Sequence, residues 1–74
     1  MADKTIDARG ANCPIPVLKA KKGIAEVAVG GTLEVLATDP SSVEDMRAFC
    51  TATGHVLVEQ TTEGAVFRHL IRRT

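Results

Sequence analysis

The chain contains no tryptophan and no tyrosine, and its only aromatic rings apart from histidine are Phe49 and Phe67. Its core is therefore expected to be aliphatic, drawn from a 45% hydrophobic fraction. Cysteine is equally scarce. Cys13 and Cys50 are too few for a disulfide framework or a zinc site, and in a reducing compartment both are expected as free thiols. Net charge is missing too, since nine basic and nine acidic residues cancel. A protein that lived by gripping phosphate backbones would carry a basic excess, so direct nucleic-acid binding is not expected. No run approaches the roughly 20 apolar residues that cross a bilayer, and the opening Met-Ala-Asp-Lys-Thr lacks the apolar stretch of a secretory signal. The expectation is a cytoplasmic protein with no membrane association. At 74 residues the chain reads as one domain, residues 1–74, which buries only about 60% of the surface its unfolded form exposes.

What is present is a regular alternation of strand and helix signals. Thr5–Ala8 is a short strand candidate with Ile6 and Ala8 on one face, and Arg9–Asn12 has turn chemistry. From Pro14 to about Ala28, the residues Val17, Ala20, Ile24, Val27 and Ala28 recur at helical spacing. Gly23 interrupts that pattern at a cost of about 1 kcal/mol relative to alanine, which marks either a close approach or a weak turn. Gly30 and Gly31 end the element. Thr32–Thr38 alternates, with Leu33, Val35 and Ala37 as its buried set. Asp39 reads as the cap of a second helix with Pro40 at its first position, and Ser41 with Glu44 offers a second capping box. That helix runs to about Thr53 on a stripe of Val43, Met46, Phe49 and Cys50, and Gly54 stops it. His55–Thr61 is a third strand, Thr62–Gly64 a hairpin turn, and Ala65–Arg72 a fourth strand with Arg68 and Arg72 on its wet face. The order β-α-β-α-β-β predicts an α+β fold: a two-layer α/β sandwich whose four-stranded mixed sheet carries both helices on one face.

The chemistry concentrates at Cys13-Pro14-Ile15-Pro16. With Cys13 read as the helix N-cap, the dipole and the unpaired amides favour a thiolate. The prolines shape the turn, because their missing N–H groups fall where a helix has no internal acceptor. Ile15 is then the one amide of the first turn able to face the sulfur, with Arg9 or Lys19 as further support. Pro16 stands where a Cys-x-x-Cys motif would carry its resolving thiol, so thioredoxin-type exchange is not expected. A solitary exposed thiolate is well suited to accepting a sulfur atom as a persulfide and giving it up to another protein's thiol. The bland alternative is a turn cysteine of no consequence. Cys50, on the apolar stripe, reads as a packed thiol. It lies about ten residues into its helix, roughly 15 Å along it, whereas bridged cysteines need Cα atoms within about 7 Å. Lys19, Lys21 and Lys22 form a basic helix face, either solvated, with Lys22 and Glu26 as an i,i+4 pair, or steering toward acidic partner rims. His55 and His69 read as structural or solvent-facing.

The run from Asp7 through Arg9-Gly10-Ala11-Asn12-Cys13-Pro14-Ile15-Pro16 to Leu18 resembles the signature of the TusA (SirA-like) sulfur-carrier family. The likeness continues through Gly30-Gly31-Thr32-Leu33, Asp39-Pro40, Phe49-Cys50-Thr51, Gly54-His55 and Leu70-Ile71-Arg72. The resemblance implies the same two-layer sandwich and a protein that takes sulfane sulfur from a cysteine desulfurase or a rhodanese. It implies delivery to another relay protein, often of the DsrE type, in tRNA 2-thiolation, molybdenum-cofactor or sulfur-oxidation pathways. No cofactor is implied beyond the transient persulfide. Residue by residue, Cys13 takes the persulfide position and Pro14 and Pro16 shape its turn. Lys21 falls at an arginine used for docking, and Asp39 at an acidic docking position; Arg9, Lys19 and Lys22 complete the docking candidates. Two departures concern the partner. The tRNA-pathway members are Met-rich where this chain has Val17-Leu18-Lys19-Ala20-Lys21-Lys22, and they carry an aromatic where it has Ala52. Two other readings stay open: a non-catalytic binding module on the open sheet face, and a redox sensor that oxidises at Cys13.

Overall fold

In the computed structural model, which describes residues 2–74 and leaves Met1 outside the described residues, the elements follow the predicted order. They are β1 (Lys4–Ala8), α1 (Ile15–Ala25), β2 (Thr32–Ala37), α2 (Ser42–Thr53), β3 (Val56–Glu63) and β4 (Val66–Arg72). The sheet order is β1-β2-β4-β3. β1 and β2 run parallel with Ala8 opposite Ala37, while β4 is antiparallel to both β2 and β3. Both helices share one core with the inward strand residues: Ala20 and Ile24 of α1, Met46, Phe49 and Cys50 of α2, and Ala8, Leu33, Val35 and Ile71 of the sheet. This is the α+β two-layer sandwich that the sequence pattern predicts.

Besides the helix starts, the end of α1 and the β3–β4 turn differ from the sequence reading. α1 stops at Ala25 rather than Ala28, and its last carbonyls are taken from far along the chain. The Arg73 guanidinium donates to Ala25 O at 3.2 Å and to Val27 O at 2.6 Å. A cation at a helix C-terminus satisfies exposed carbonyls and the dipole together, so the chain turns there while Val27 stays buried. Glu26, freed from the expected pair with Lys22, meets Lys4 Nζ at 3.4 Å. The hairpin turn lies one residue later than expected: β3 continues to Glu63, and Gly64, at φ 61°, makes the turn with Ala65.

Gly23 is a close approach. A Cβ there would run into Ile6 Cδ1 and lie 3.1 Å from Ile6 Cγ1 and 3.3 Å from Leu33 Cδ1. The absence of a side chain is what lets α1 settle onto β1 and β2. The other face of the sheet is open, and its central cation is internally satisfied: Arg68 pairs with Glu34 on β2 and with Glu59 on β3, the latter at 3.6 Å.

α2 is tied to the sheet by a polar contact inside the core. His69 and Ser42 are both 0% exposed, with His69 Nε2 3.0 Å from Ser42 Oγ and His69 Nδ1 3.1 Å from Gln60 Nε2. The Gln60 amide has one orientation that fits, because its NH₂ donates to Val43 O at 3.0 Å and its oxygen accepts from Arg47 Nε at 3.1 Å. The NH₂ therefore also donates to Nδ1, so the neutral His69 ring carries its proton on Nε2 and donates to Ser42. The strand histidine expected to be structural is a buried tether for the start of α2.

Gly23→Val overpacks this contact and is expected to cost about 2 kcal/mol of unfolding free energy by urea titration. The His69 tether sets a pH dependence. Burial lowers the His69 pKa from its ordinary 6.5, so on acidification the unfolded chain binds the proton first. The contribution of the neutral ring is whole above about pH 6.5 and is lost progressively below it. The urea midpoint of the wild type should therefore fall between neutral pH and about pH 5, and His69→Gln should flatten that slope.

Candidate functional site

β1 and β2 are parallel neighbours, so the loops that follow them leave the same end of the sheet side by side. Two hydrogen bonds stitch those loops together. Gly10 N–H donates to Thr38 Oγ1 at 2.9 Å, and Cys13 N–H donates to Asp39 Oδ2 at 2.7 Å. The other oxygen of the same carboxylate accepts Ser41 N–H at 3.0 Å. One aspartate thus fixes the backbone of Cys13 against the entrance of α2. The Asp39 carboxyl is held below its usual pKa, first by the Cys13 amide and then by the Ser41 amide and hydroxyl.

This arrangement corrects the sequence reading of both helix starts. Cys13 is not the N-cap of α1; Pro14 is, and Ile15 and Pro16 occupy the first two helical positions. The Cys13–Pro14 peptide bond is cis. The Ile15 amide, expected to face the sulfur, donates instead to Asn12 O at 2.9 Å. Asp39 does not cap α2 as its N-cap residue either. Ser41 holds that position without a side-chain cap bond, and Glu44, the other half of the expected capping box, pairs with Arg47 at 3.1 Å. The Asp39 side chain, expected as an outward docking group, has both oxygens committed within the chain.

The two cysteines separate as expected: Cys13 is a free, exposed thiol, and Cys50 is free and buried. Their electrostatics do not follow the sequence reading. The Cys13 pKa is raised, not depressed. The dominant cause is the Asp45 carboxylate, on the first turn of α2, which favours the protonated thiol; partial loss of water and the Asp39 charge act in the same direction. Ser41 acts in the opposite direction. The cations expected to help are engaged elsewhere. Arg9 clamps Asp7 through Nε at 2.8 Å and Nη2 at 2.9 Å, and Lys19 Nζ lies 3.4 Å from Asp7 O. The clamp holds the Asp7 carboxyl well below the usual range. Cys50 is also raised, by burial alone.

Lys21 and Lys22 are exposed on α1 with Lys19. Beside them, and beside Cys13 in sequence, Ile15 is 44% and Leu18 58% exposed, an apolar margin the sequence reading passed over. It also passed over Asp45. The signal was available: the predicted topology brings the start of α2 to Cys13, and Ser41 and Asp45 lie one helical turn apart on one face of that start. Replacing Asp39 with asparagine leaves one acceptor oxygen for two amides. In Asp39→Asn, either Cys13 or Ser41 N–H is expected to exchange with solvent about tenfold faster by NMR, with Gly10 N–H unchanged.

The family model described as Sulfurtransferase TusA matches residues 4–73. The chain is 46% identical over 72 residues to the sulfur carrier protein TusA of Allochromatium vinosum, covering 97% of this chain and 95% of that one. It is 45% identical over 71 residues to the protein of the same name from Pseudomonas entomophila, covering 96% and 89%. Among solved structures, the crystal structure of a SirA-like protein from Desulfitobacterium hafniense superposes with a TM-score of 0.81 at 34% identity, covering 92% of this chain and 93% of that one.

Proposed function

This chain belongs to the TusA sulfurtransferase family, and from that premise we propose that it carries sulfur as a persulfide on Cys13. The observation that carries the reading is the contrast between its thiols: Cys13 is exposed at the rim of the sheet with its amide pinned by Asp39, whereas Cys50 is enclosed in the core. Sulfur transfer between proteins requires a thiol that a second protein's sulfur can reach, held so that attack occurs along one line.

The exchange balances without an oxidant. The Cys13 sulfur, as thiolate, attacks the outer sulfur of a donor persulfide, the donor's S–S bond breaks, and a new S–S bond forms at Cys13 Sγ. The donor cysteine leaves as a thiolate and takes up the proton that Cys13 gave to water, so one thiol and one persulfide exchange roles. Delivery repeats the step with Cys13 as the leaving group. The donor is a cysteine desulfurase or a rhodanese and the acceptor a DsrE-type or similar relay protein. Lys19, Lys21 and Lys22 offer charge to an acidic partner rim, and Ile15 and Leu18 an apolar contact. The pathway is sulfur oxidation, tRNA 2-thiolation or molybdenum-cofactor synthesis.

A redox-sensing role fits less well, because sensor thiols react with peroxide as stabilised thiolates and Asp45 opposes ionisation here. The open sheet face offers a binding module little free charge at its centre, since Arg68 is shared between Glu34 and Glu59.

Mass spectrometry after incubation with a desulfurase and cysteine, or a rhodanese and thiosulfate, tests the carrier reading. One added sulfur atom is expected, removed by reductant and absent from Cys13→Ser. The same increment on Cys13→Ser overturns the assignment.

A further inference from the structure

The buried polar contact at the start of α2 contains a device that sulfur transfer does not use. Four side chains and one carbonyl meet there, and their donors and acceptors match only while His69 is neutral. Both ring nitrogens are taken, Nε2 by Ser42 Oγ at 3.0 Å and Nδ1 by Gln60 Nε2 at 3.1 Å. The Gln60 NH₂ places its second hydrogen on Val43 O at 3.0 Å, and its oxygen accepts Arg47 Nε–H at 3.1 Å. Among the described residues no buried side-chain polar atom lacks a partner, so the neutral ring completes the network.

A proton on Nδ1 turns this acceptor into a donor that faces the Gln60 NH₂. Turning the ring brings no relief, because an imidazolium carries N–H at both nitrogens. Turning the Gln60 amide fails as well. Its oxygen would accept from Nδ1 but would then face Val43 O, and its NH₂ would face Arg47 Nε–H, so one bond is gained and two are lost. No neighbouring charge takes over. On α2, Arg47 meets the network through Gln60 and also pairs with Glu44, while Asp45 and the buried Cys50 bond to neither ring nitrogen. β2 places Val35 opposite His69, and Glu34 is engaged with Arg68. β3 places Gln60 opposite the ring, and Glu59 also turns to Arg68. Asp39 is committed to two amides.

We propose that His69 and Gln60 form a proton-operated latch: protonation of the ring on acidification disengages Gln60 from α2 and frees the opening turns of that helix while the sheet stays folded. The inference uses no property of the Cys13 sulfur and does not depend on the carrier reading. Burial holds the His69 pKa below its ordinary 6.5, so the latch is shut at neutral pH. Once released, the ring is hydrated and regains the ordinary value. Release is therefore favoured about tenfold for each pH unit below about 6.5, until the ring titrates in place. The freed segment is confined, because β3 and β4 keep their own ladder and Phe49 and Cys50 hold the later part of α2 in the core. It adjoins Ser41, whose amide shares Asp39 with the Cys13 amide, so acidification is felt in the loop after β1.

Amide hydrogen exchange by NMR between about pH 7 and about pH 5 tests the latch on the wild-type chain, each rate being divided by the intrinsic rate at that pH. The Asp45, Met46 and Arg47 amides should lose protection about tenfold per pH unit below about 6.5, with little response to low urea. The Val35 and Ile71 amides should stay better protected and respond strongly to urea, as exchange through global unfolding does. Helix-start amides whose protection holds across this range, or which follow urea as the strand amides do, overturn the latch. Gln60→Glu supplies an acceptor that suits the imidazolium and Arg47 together. In that variant the His69 pKa, read from ring nitrogen shifts, should rise above 6.5, and helix-start protection should fall as pH rises through it. A folded Gln60→Glu protein that keeps the wild-type direction overturns the latch; if that variant does not fold, the wild-type exchange still decides. His55 lies beyond the far end of α2 and accepts Thr74 N–H at 3.2 Å. His55→Gln should leave the profile in place, and a pH response that vanishes with His55 also overturns the assignment to His69.

Discussion

A single carboxylate, bonded through its two oxygens to two backbone amides, organises the Cys13 end of this molecule. Asp39 joins the loop after β1 to the loop after β2, and the join is possible because those strands are parallel neighbours that end level with one another. Amide donors suit an ionised acceptor, and charge-assisted bonds of this kind are stronger than neutral ones. They also keep Asp39 charged, so its field persists beside the thiol it positions. Everything that acts on Cys13 follows from this juxtaposition. Asp39 joins the Cys13 backbone to the start of α2, the helix that carries the Asp45 carboxylate.

The rest of the fold supplies rigidity with few resources. An aliphatic core under two helices leaves little margin in so small a chain, and the molecule compensates at particular points. Gly23 lets α1 lie close enough to pack without a gap. Arg73 closes the end of that helix from the far terminus of the chain. His69, neutral and doubly bonded, anchors the opening turn of α2, the same turn that carries Ser41 and Asp45. Core and site therefore share an element, and loosening the tether would be felt at the thiol.

Much of this was legible in the sequence. Alternation gave the strands and their inward sets, the spacing of Met46, Phe49 and Cys50 gave the buried face of α2, and Arg68 and Arg72 marked the open face of β4. The exposed and buried thiols were told apart by pattern alone. What was not legible depends on partners distant in the chain. Cys13 and Asp39 are separated by 26 positions and Arg73 lies 48 beyond Ala25, so neither the true start nor the true end of α1 is written in its own residues. The sign of the thiol's shift failed for the same reason: local reading offered a helix dipole, but the carboxylate that raises the pKa belongs to another helix.

The break in pairing between Leu57 and Glu59 in β3 has a bearing on life in a crowded cell. β3 is the outermost strand beside β4, and its free edge is what a neighbouring molecule would need in order to extend the sheet. A foreign strand approaching it meets a ladder that loses step partway along and a margin bearing Glu59 and Glu63. Interrupted spacing and like charge both discourage such growth. The edge at β3 is thus made uninviting, while the opposite end of the sheet leaves Cys13 exposed.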